Sequence, residues 1–325
     1  MRRREFITFL GGATVWSLAA RGKQSPRAVV GSLSTVSLET SRAFQAAFYE
    51  GLGSLGYVQG QNLAVEDRWA EGRYDRLPEL AADLVRRQVD VIVAFAPPAT
   101  LAAMRATVTI PIVATFDSDP VASGLIASLN RPGGNATGVS VLTSELEPKR
   151  LGLLRELVPK AATLGFLLNP NFPTAAMQLR DTQEAARTVG LELHVLRAST
   201  DREIDAAFEA IAQHRLSALQ VAPDPFFLTR RDRFAASALR HAVPTMSSFR
   251  DYAIAGVLMS YGIDLVDVCR QMGVYVGRIL KGEKPGDLPV MQPTKFELII
   301  NLKTAKALGV DIPPGVLAIT DEVIE

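Results

Sequence analysis

Residues 89–95 read VDVIVAF, an almost wholly apolar run, the mark of a parallel strand covered on both faces. The next five residues constrain the fold further. Ala96-Pro97-Pro98-Ala99-Thr100 cannot continue a sheet, and the pattern predicts a short helix over 101–106. The same grammar recurs on either side. Residues 28–31 pass into a loop carrying Ser32, Ser34, Thr35 and Ser37. A helical stripe of Phe44, Ala47 and Phe48 comes after it, with Thr40 or Ser41 available as its N-cap. Residues 62–69 alternate as a strand and 77–87 read as a helix, while the apolar run 110–116 ends in Asp117-Ser118-Asp119-Pro120. Strand, polar or Pro-rich loop, then helix, three times over, predicts an α/β chain with a doubly wound parallel sheet. Such sheets bind ligands at the carboxyl ends of their strands.

A second set of units comes after the NRPGG turn at 130–134 and the small, β-branched run 136–141. A helix is expected over 144–157, then strands at 163–168, 191–196, 218–222 and 243–246, alternating with helices at 174–189, 203–214 and 230–241. These strands end at Asn169-Pro170, Pro223-Asp224-Pro225 and Ser247-Ser248-Phe249. The chain closes with a strand at 256–261, a long helix at 265–280, a strand within 288–302 and a short helix at 303–308. At 325 residues a single core is at its upper size limit, so two lobes are expected.

The N-terminus is of another kind. Arg2, Arg3 and Arg4 precede an apolar run from Phe6 to Leu18 and a small-residue finish, the pattern of an export signal and too short to span a bilayer. Arg3-Arg4-Glu5-Phe6-Ile7 is of twin-arginine type, with Thr8 where Lys is usual, and cleavage after Ala20 or Gly22 fits equally. Removing residues 1–22 takes away four Arg and one Glu, so the whole-chain charge of +1 becomes −2. Neither value makes a field that attracts nucleic acid. Cys269 is the single cysteine, read as a small buried apolar residue; it excludes an intrachain disulfide. No Cys stands after the signal's apolar run, so a periplasmic protein without a lipid anchor is expected.

Several stretches carry a family likeness. Residues 275–325 (YVGRILKGEKPGDLPVMQPTKFELIINLKTAKALGVDIPPGVLAITDEVIE) strongly resemble the ABC-transporter substrate-binding proteins of the uncharacterised-transporter group. That group lies in the periplasmic binding protein type I superfamily and has tryptophan-binding relatives. Residues 50–72, 109–139 and the PDPFF run at 223–227 resemble it too. The resemblance implies two Rossmann-like lobes with parallel sheets, joined by a three-crossing hinge near 138–143, 259–262 and 288–293. Residues 27–141 with 262–288 would form one lobe, and 142–261 with 289–325 the other. It implies capture of a small-molecule solute between the lobes, delivery to ABC permease and ATPase subunits, no cofactor, and a chain acting as a monomer.

The candidate site is then the set of strand-end loops. The first lobe offers Ser34, Thr35 and Ser37; Pro97, Pro98 and Ala99; and Asp117 with Asp119. The second offers Asn169, Pro170, Asp224, Ser248 and Phe249, with Tyr261 on a crossing strand. Hydroxyls and free N–H groups at helix starts suit a carboxylate, and Asp117 or Asp224 an ammonium. Phe116, Phe226, Phe249 and Tyr261 offer apolar walls. Trp69, the only tryptophan after the signal, is expected away from the loop tips, so an amino acid or aromatic acid is favoured over a sugar. An enzyme would need a constellation that is missing: His194, His214 and His241 have no metal spacing, and there is no GxSxG elbow or GxxxxGK loop. Glu145 and Glu147 read as a solvated helix start. A DNA-bound regulator would need a helix-turn-helix where the signal stands. A sensor presenting its solute to a membrane receptor remains an alternative to transport.

Overall fold

A computed structural model describes residues 27–116, 119–141, 146–159, 161 and 163–325. The expected export signal, Asp117 and Glu145 lie outside the described residues. The first sheet is built from β1 (Ala28–Ser34), α1 (Leu38–Ser54), β2 (Leu63–Trp69), α2 (Leu77–Arg86), β3 (Val91–Phe95), α3 (Pro97–Ala106), β4 (Ile112–Phe116) and β5 (Ala136–Ser140). Its strand order is β2-β1-β3-β4-β5, parallel throughout. The chain first moves from β1 to one side and then to the other, so its topological switch point lies between β1 and β3. A crevice opens there at the strand ends.

The second layer begins with α4 (Glu147–Leu157), β6 (Thr163–Leu168), α5 (Ala175–Thr188), β7 (Glu192–Arg197), α6 (Asp201–His214), β8 (Leu219–Val221), α7 (Pro225–Leu228) and α8 (Arg231–Arg240). It continues through β9 (Thr245–Ser247), α9 (Arg250–Ala255), β10 (Met259–Ile263), α10 (Leu265–Leu280), β11 (Phe296–Asn301), α11 (Leu302–Leu308), α12 (Pro314–Ala318) and β12 (Glu322–Ile324). The sheet order is β12-β11-β10-β9-β8-β6-β7. Its switch point, between β6 and β8, places Asn169 and Asp224 at the rim facing the first lobe's crevice. The molecule is thus an α/β protein of two lobes.

Local chemistry accounts for where these elements depart from the sequence pattern. Helix α3 starts at Pro97, four residues earlier than the pattern predicts, because proline fits the first helical positions, where no intrahelical donor is needed. Ser37, rather than Thr40 or Ser41, caps α1, its hydroxyl accepting from Thr40 N–H at 3.4 Å. The pairing of β10 with β11 is antiparallel, and β12 adds a parallel edge strand. Glu147 is not a solvated helix start. It is buried and pairs with the buried Arg150 at 2.6 Å, while Gln220 donates to its other oxygen at 3.0 Å. Arg150 Nε also donates to the Tyr261 carbonyl at 2.8 Å, tying α4 to β10.

After β10 the chain returns to the first lobe, where α10 packs on α1 within that lobe's core. Gly51 and Gly273 make this contact possible: a Cβ on Gly51 would lie 2.1 Å from the Arg270 carbonyl oxygen, and one on Gly273 2.1 Å from that of Phe48. Residues 288–291 then run beside β5, with Thr137 Oγ1 donating to Leu288 O at 2.7 Å and Met291 N–H to Gly138 O at 2.9 Å. Val290 is buried in the first lobe's core, so the chain leaves that lobe between it and β11.

Candidate functional site

The two switch points enclose a cleft of about 110 Å³. Ser34, Thr35, Trp69, Ala96 and Pro97 line it from strand ends of the first lobe, and Phe172, Asp224 and Phe249 from the second. Phe44 and Gln45 of α1, with Leu265, Val268 and Cys269 of α10, form its floor. The wall is mostly apolar, and most of its hydroxyls are engaged within the protein. Thr115 Oγ1 accepts from Ala96 N–H at 2.7 Å, Ser41 Oγ donates to Ser37 O at 2.8 Å, and Ser34 Oγ accepts from Val36 N–H at 3.4 Å.

Asp224 is the exception. It is fully buried as the N-cap of α7. Its Oδ1 accepts from Phe226 N–H at 2.6 Å, Phe227 N–H at 3.3 Å and the Tyr74 hydroxyl at 2.7 Å. Its Oδ2 is buried without a partner. Desolvation pushes the carboxyl up to about 6, even though Tyr74, the two backbone donors and the Asn169 side chain all favour the ionised form. Burial, and then the charge of Asp224, hold the Tyr74 hydroxyl well above its usual range. An anionic oxygen buried at a cleft wall without a partner is a strong acceptor for a cationic donor.

The other candidate residues have different surroundings. Ser37 is spent on its cap; Pro98 lines a separate groove between α2 and α3; Ala99 is wholly buried in the first lobe's core. Asn169 is buried beside Asp224, its Oδ1 accepting from Asn171 N–H at 3.0 Å, and Pro170 is exposed. Ser248 is buried with its hydroxyl unpartnered, and Tyr261 packs with the core beneath β10. Asp119 caps the turn after it, accepting from Val121 and Ala122 N–H. Phe116 and Phe226 are core residues. Trp69, expected away from the loop tips, is in the cleft wall because β2 lies beside β1 and the two strands end together. Phe44, Phe172 and the α10 residues carry no local signal of a site.

Ala96 holds the start of α3 in a conformation open mainly to glycine, with φ 74° and ψ 151°. Its N–H bond to Thr115, together with Thr100 Oγ1 donating to Thr115 O at 2.8 Å, keeps it there. Ala96→Gly is therefore expected to stabilise the protein by about 1 kcal/mol, the relieved strain exceeding the added freedom of the unfolded chain. A higher urea midpoint at unchanged slope would record the gain; a lower one would show that the backbone is not strained. Among the described residues no group of three or more His, Cys, Asp or Glu is placed to hold a metal, and no helix is long and apolar enough to cross a membrane.

The comparisons with known proteins agree with this architecture. The tyrosine-binding protein of Clostridioides difficile is 30% identical over 261 residues, spanning 80% of this chain and 75% of that protein. A conserved domain protein from Vibrio cholerae superposes with a TM-score of 0.85 at 29% identity, over 91% of this chain and 99% of that one. A Streptococcus pneumonia ABC domain in complex with L-Trp gives 0.84 at 26% identity, over 92% of this chain and all of that one. A ligand-free, open substrate binding protein from Clostridium difficile gives only 0.66, at the same 26% identity, over 92% of this chain and 99% of that one. The family model described as ABC transporter substrate binding protein matches residues 29–324, and the chain belongs to that family of solute-binding proteins.

Proposed function

We propose that the solute is an amino acid with an aromatic or large apolar side chain, its ammonium on Asp224 Oδ2 and its side chain against the Phe44, Trp69 and Phe249 wall. The unpartnered Oδ2 carries this reading, because a buried anionic oxygen is met most strongly by a cationic donor. The similarity to a protein named for tyrosine binding and to an ABC domain solved in complex with L-Trp supports the same solute class. The chain would be exported by its N-terminal signal and would work in the periplasm as a monomer without a lipid anchor. It would catalyse nothing, delivering its solute to the permease and ATPase subunits of an importer. Its lobes would comprise residues 27–141 with 262–288 and 142–261 with 289–325, with the last crossing completed after Val290.

A thermal-shift screen tests the solute class on protein lacking residues 1–22. L-tyrosine or L-tryptophan at 100 times its dissociation constant should add about 2.7 kcal/mol of stability, a shift of several degrees. Sugars should leave the melting point unchanged, and des-amino acids should shift it less than the amino acids do. A shift by sugars alone would overturn the reading.

A further inference from the structure

Tyr74 belongs to the first lobe by chain position, on the single turn Tyr74–Arg76 between β2 and α2. The preceding Gly72 N–H donates to Thr35 O at 2.7 Å, which anchors this segment to the first lobe's cleft wall. The tyrosine side chain nonetheless completes a site in the other lobe. Its ring meets Phe172 edge-on at 6.3 Å between centroids. Its hydroxyl donates to Asp224 Oδ1 at 2.7 Å and accepts from Phe226 N–H at 3.1 Å. Rotating the lobes apart would break both bonds.

We propose that Tyr74 is the positioning residue that makes lobe closure conditional on a cation in the cleft. Closure brings its hydroxyl onto Oδ1 and dries the carboxylate, leaving Oδ2 as the one open acceptor. With an ammonium in the cleft, both oxygens are then satisfied. With none, the same movement buries an orphaned anionic oxygen, which opposes closure. Tyr74 thus carries the state of a second-lobe carboxylate to the first lobe, and an empty cleft opposes closure until a cationic solute arrives. This inference rests on Asp224 receiving the solute's ammonium.

Tyr74→Phe keeps the ring and removes the hydroxyl. The test compares it with the wild type for binding of L-tyrosine and of 3-(4-hydroxyphenyl)propionate, its des-amino analogue. The variant should bind L-tyrosine about tenfold more weakly, as expected for a lost hydrogen bond to a charged group, while its affinity for the analogue is unchanged. Equal losses for both compounds would reduce Tyr74 to packing, and an L-tyrosine affinity within about twofold of wild type would overturn the latch. If wild-type protein binds no amino acid, the solute reading fails and the latch is judged without solute by X-ray scattering. Asp224→Asn removes the buried charge but keeps an oxygen for Tyr74, so it should be more compact than wild type, and adding Tyr74→Phe should reverse the change. Equal radii for the three proteins would overturn it.

Discussion

Asp224→Asn is expected to weaken L-tyrosine or L-tryptophan binding at least about a hundredfold while raising the melting temperature of the solute-free protein. Both effects come from one buried charge. Asparagine keeps the shape, and its oxygen can still accept from Phe226 N–H, Phe227 N–H and Tyr74, so the cap on α7 survives. What is lost is the anion that an ammonium would meet on Oδ2. With the lobes closed and the cleft empty, burial raises the carboxyl to about 6 from an ordinary 3.8. The folded state therefore holds its proton more tightly than the unfolded state. The resulting destabilisation, roughly 3 kcal/mol, is fully present above pH 6 and fades as pH falls towards 4. The stability gained by Asp224→Asn should accordingly be large at pH 7.5 and vanish near pH 4. Affinity has the opposite dependence on acid. An ammonium needs the ionised carboxylate, so wild-type affinity should be flat above about pH 6 and fall about tenfold per pH unit below it. Calorimetry between pH 4.5 and 8 measures both; a flat affinity profile would remove Asp224 from the site. Tyr74 and Tyr252, whose pKa values burial raises well above their usual range, stay neutral throughout this window.

The second large effect concerns the seam beneath the cleft. Gly51→Ala is expected to cost about 2 to 4 kcal/mol, because its new methyl group would sit 2.1 Å from the Arg270 carbonyl oxygen and 3.0 Å from Val274 N. Backbone cannot rotate away as a side chain can, so α1 and α10 would have to separate and their shared core would loosen. These helices carry Phe44 and Gln45, and Leu265, Val268 and Cys269, so the cleft floor should shift and solute affinity fall as well. Gly53→Ala, two residues along the same helix, supplies the control. A Cβ there meets nothing within 4 Å, and the change should stabilise by about 0.5 to 1 kcal/mol through helix propensity alone. Urea unfolding of the pair distinguishes the cases; equal effects would mean that the two helices do not approach so closely.

Much of the architecture is legible in local patterns. The apolar runs at β3, β4 and β6 announce buried parallel strands, because a strand covered by helices on both faces has no wet side to encode. Asp224 is legible as a polar residue at such a strand's end, and the fold sets it in the cleft wall. Local patterns fail where a residue's surroundings come from distant chain. Glu147 has the local look of a solvated helix start, yet Arg150 and Gln220 enclose it. Trp69 looks remote because a strand's own sequence does not reveal which neighbour it lies beside. Tyr74 carries no local signal at all, since its partner is 150 positions away.

The sequence by itself determined that this chain is an α/β protein of two strand–loop–helix sets. Periodicity and turn chemistry act over a few residues, so they can be read without knowing the fold. The tertiary structure alone decided which strand ends meet. It sets β1 between β2 and β3, brings α10 back across to α1, and places Tyr74 of the first lobe against Asp224 of the second. Burial then turns an ordinary helix-capping aspartate into a carboxylate with one oxygen satisfied and the other open, because desolvation depends on what surrounds a group in space and not on its neighbours in the chain.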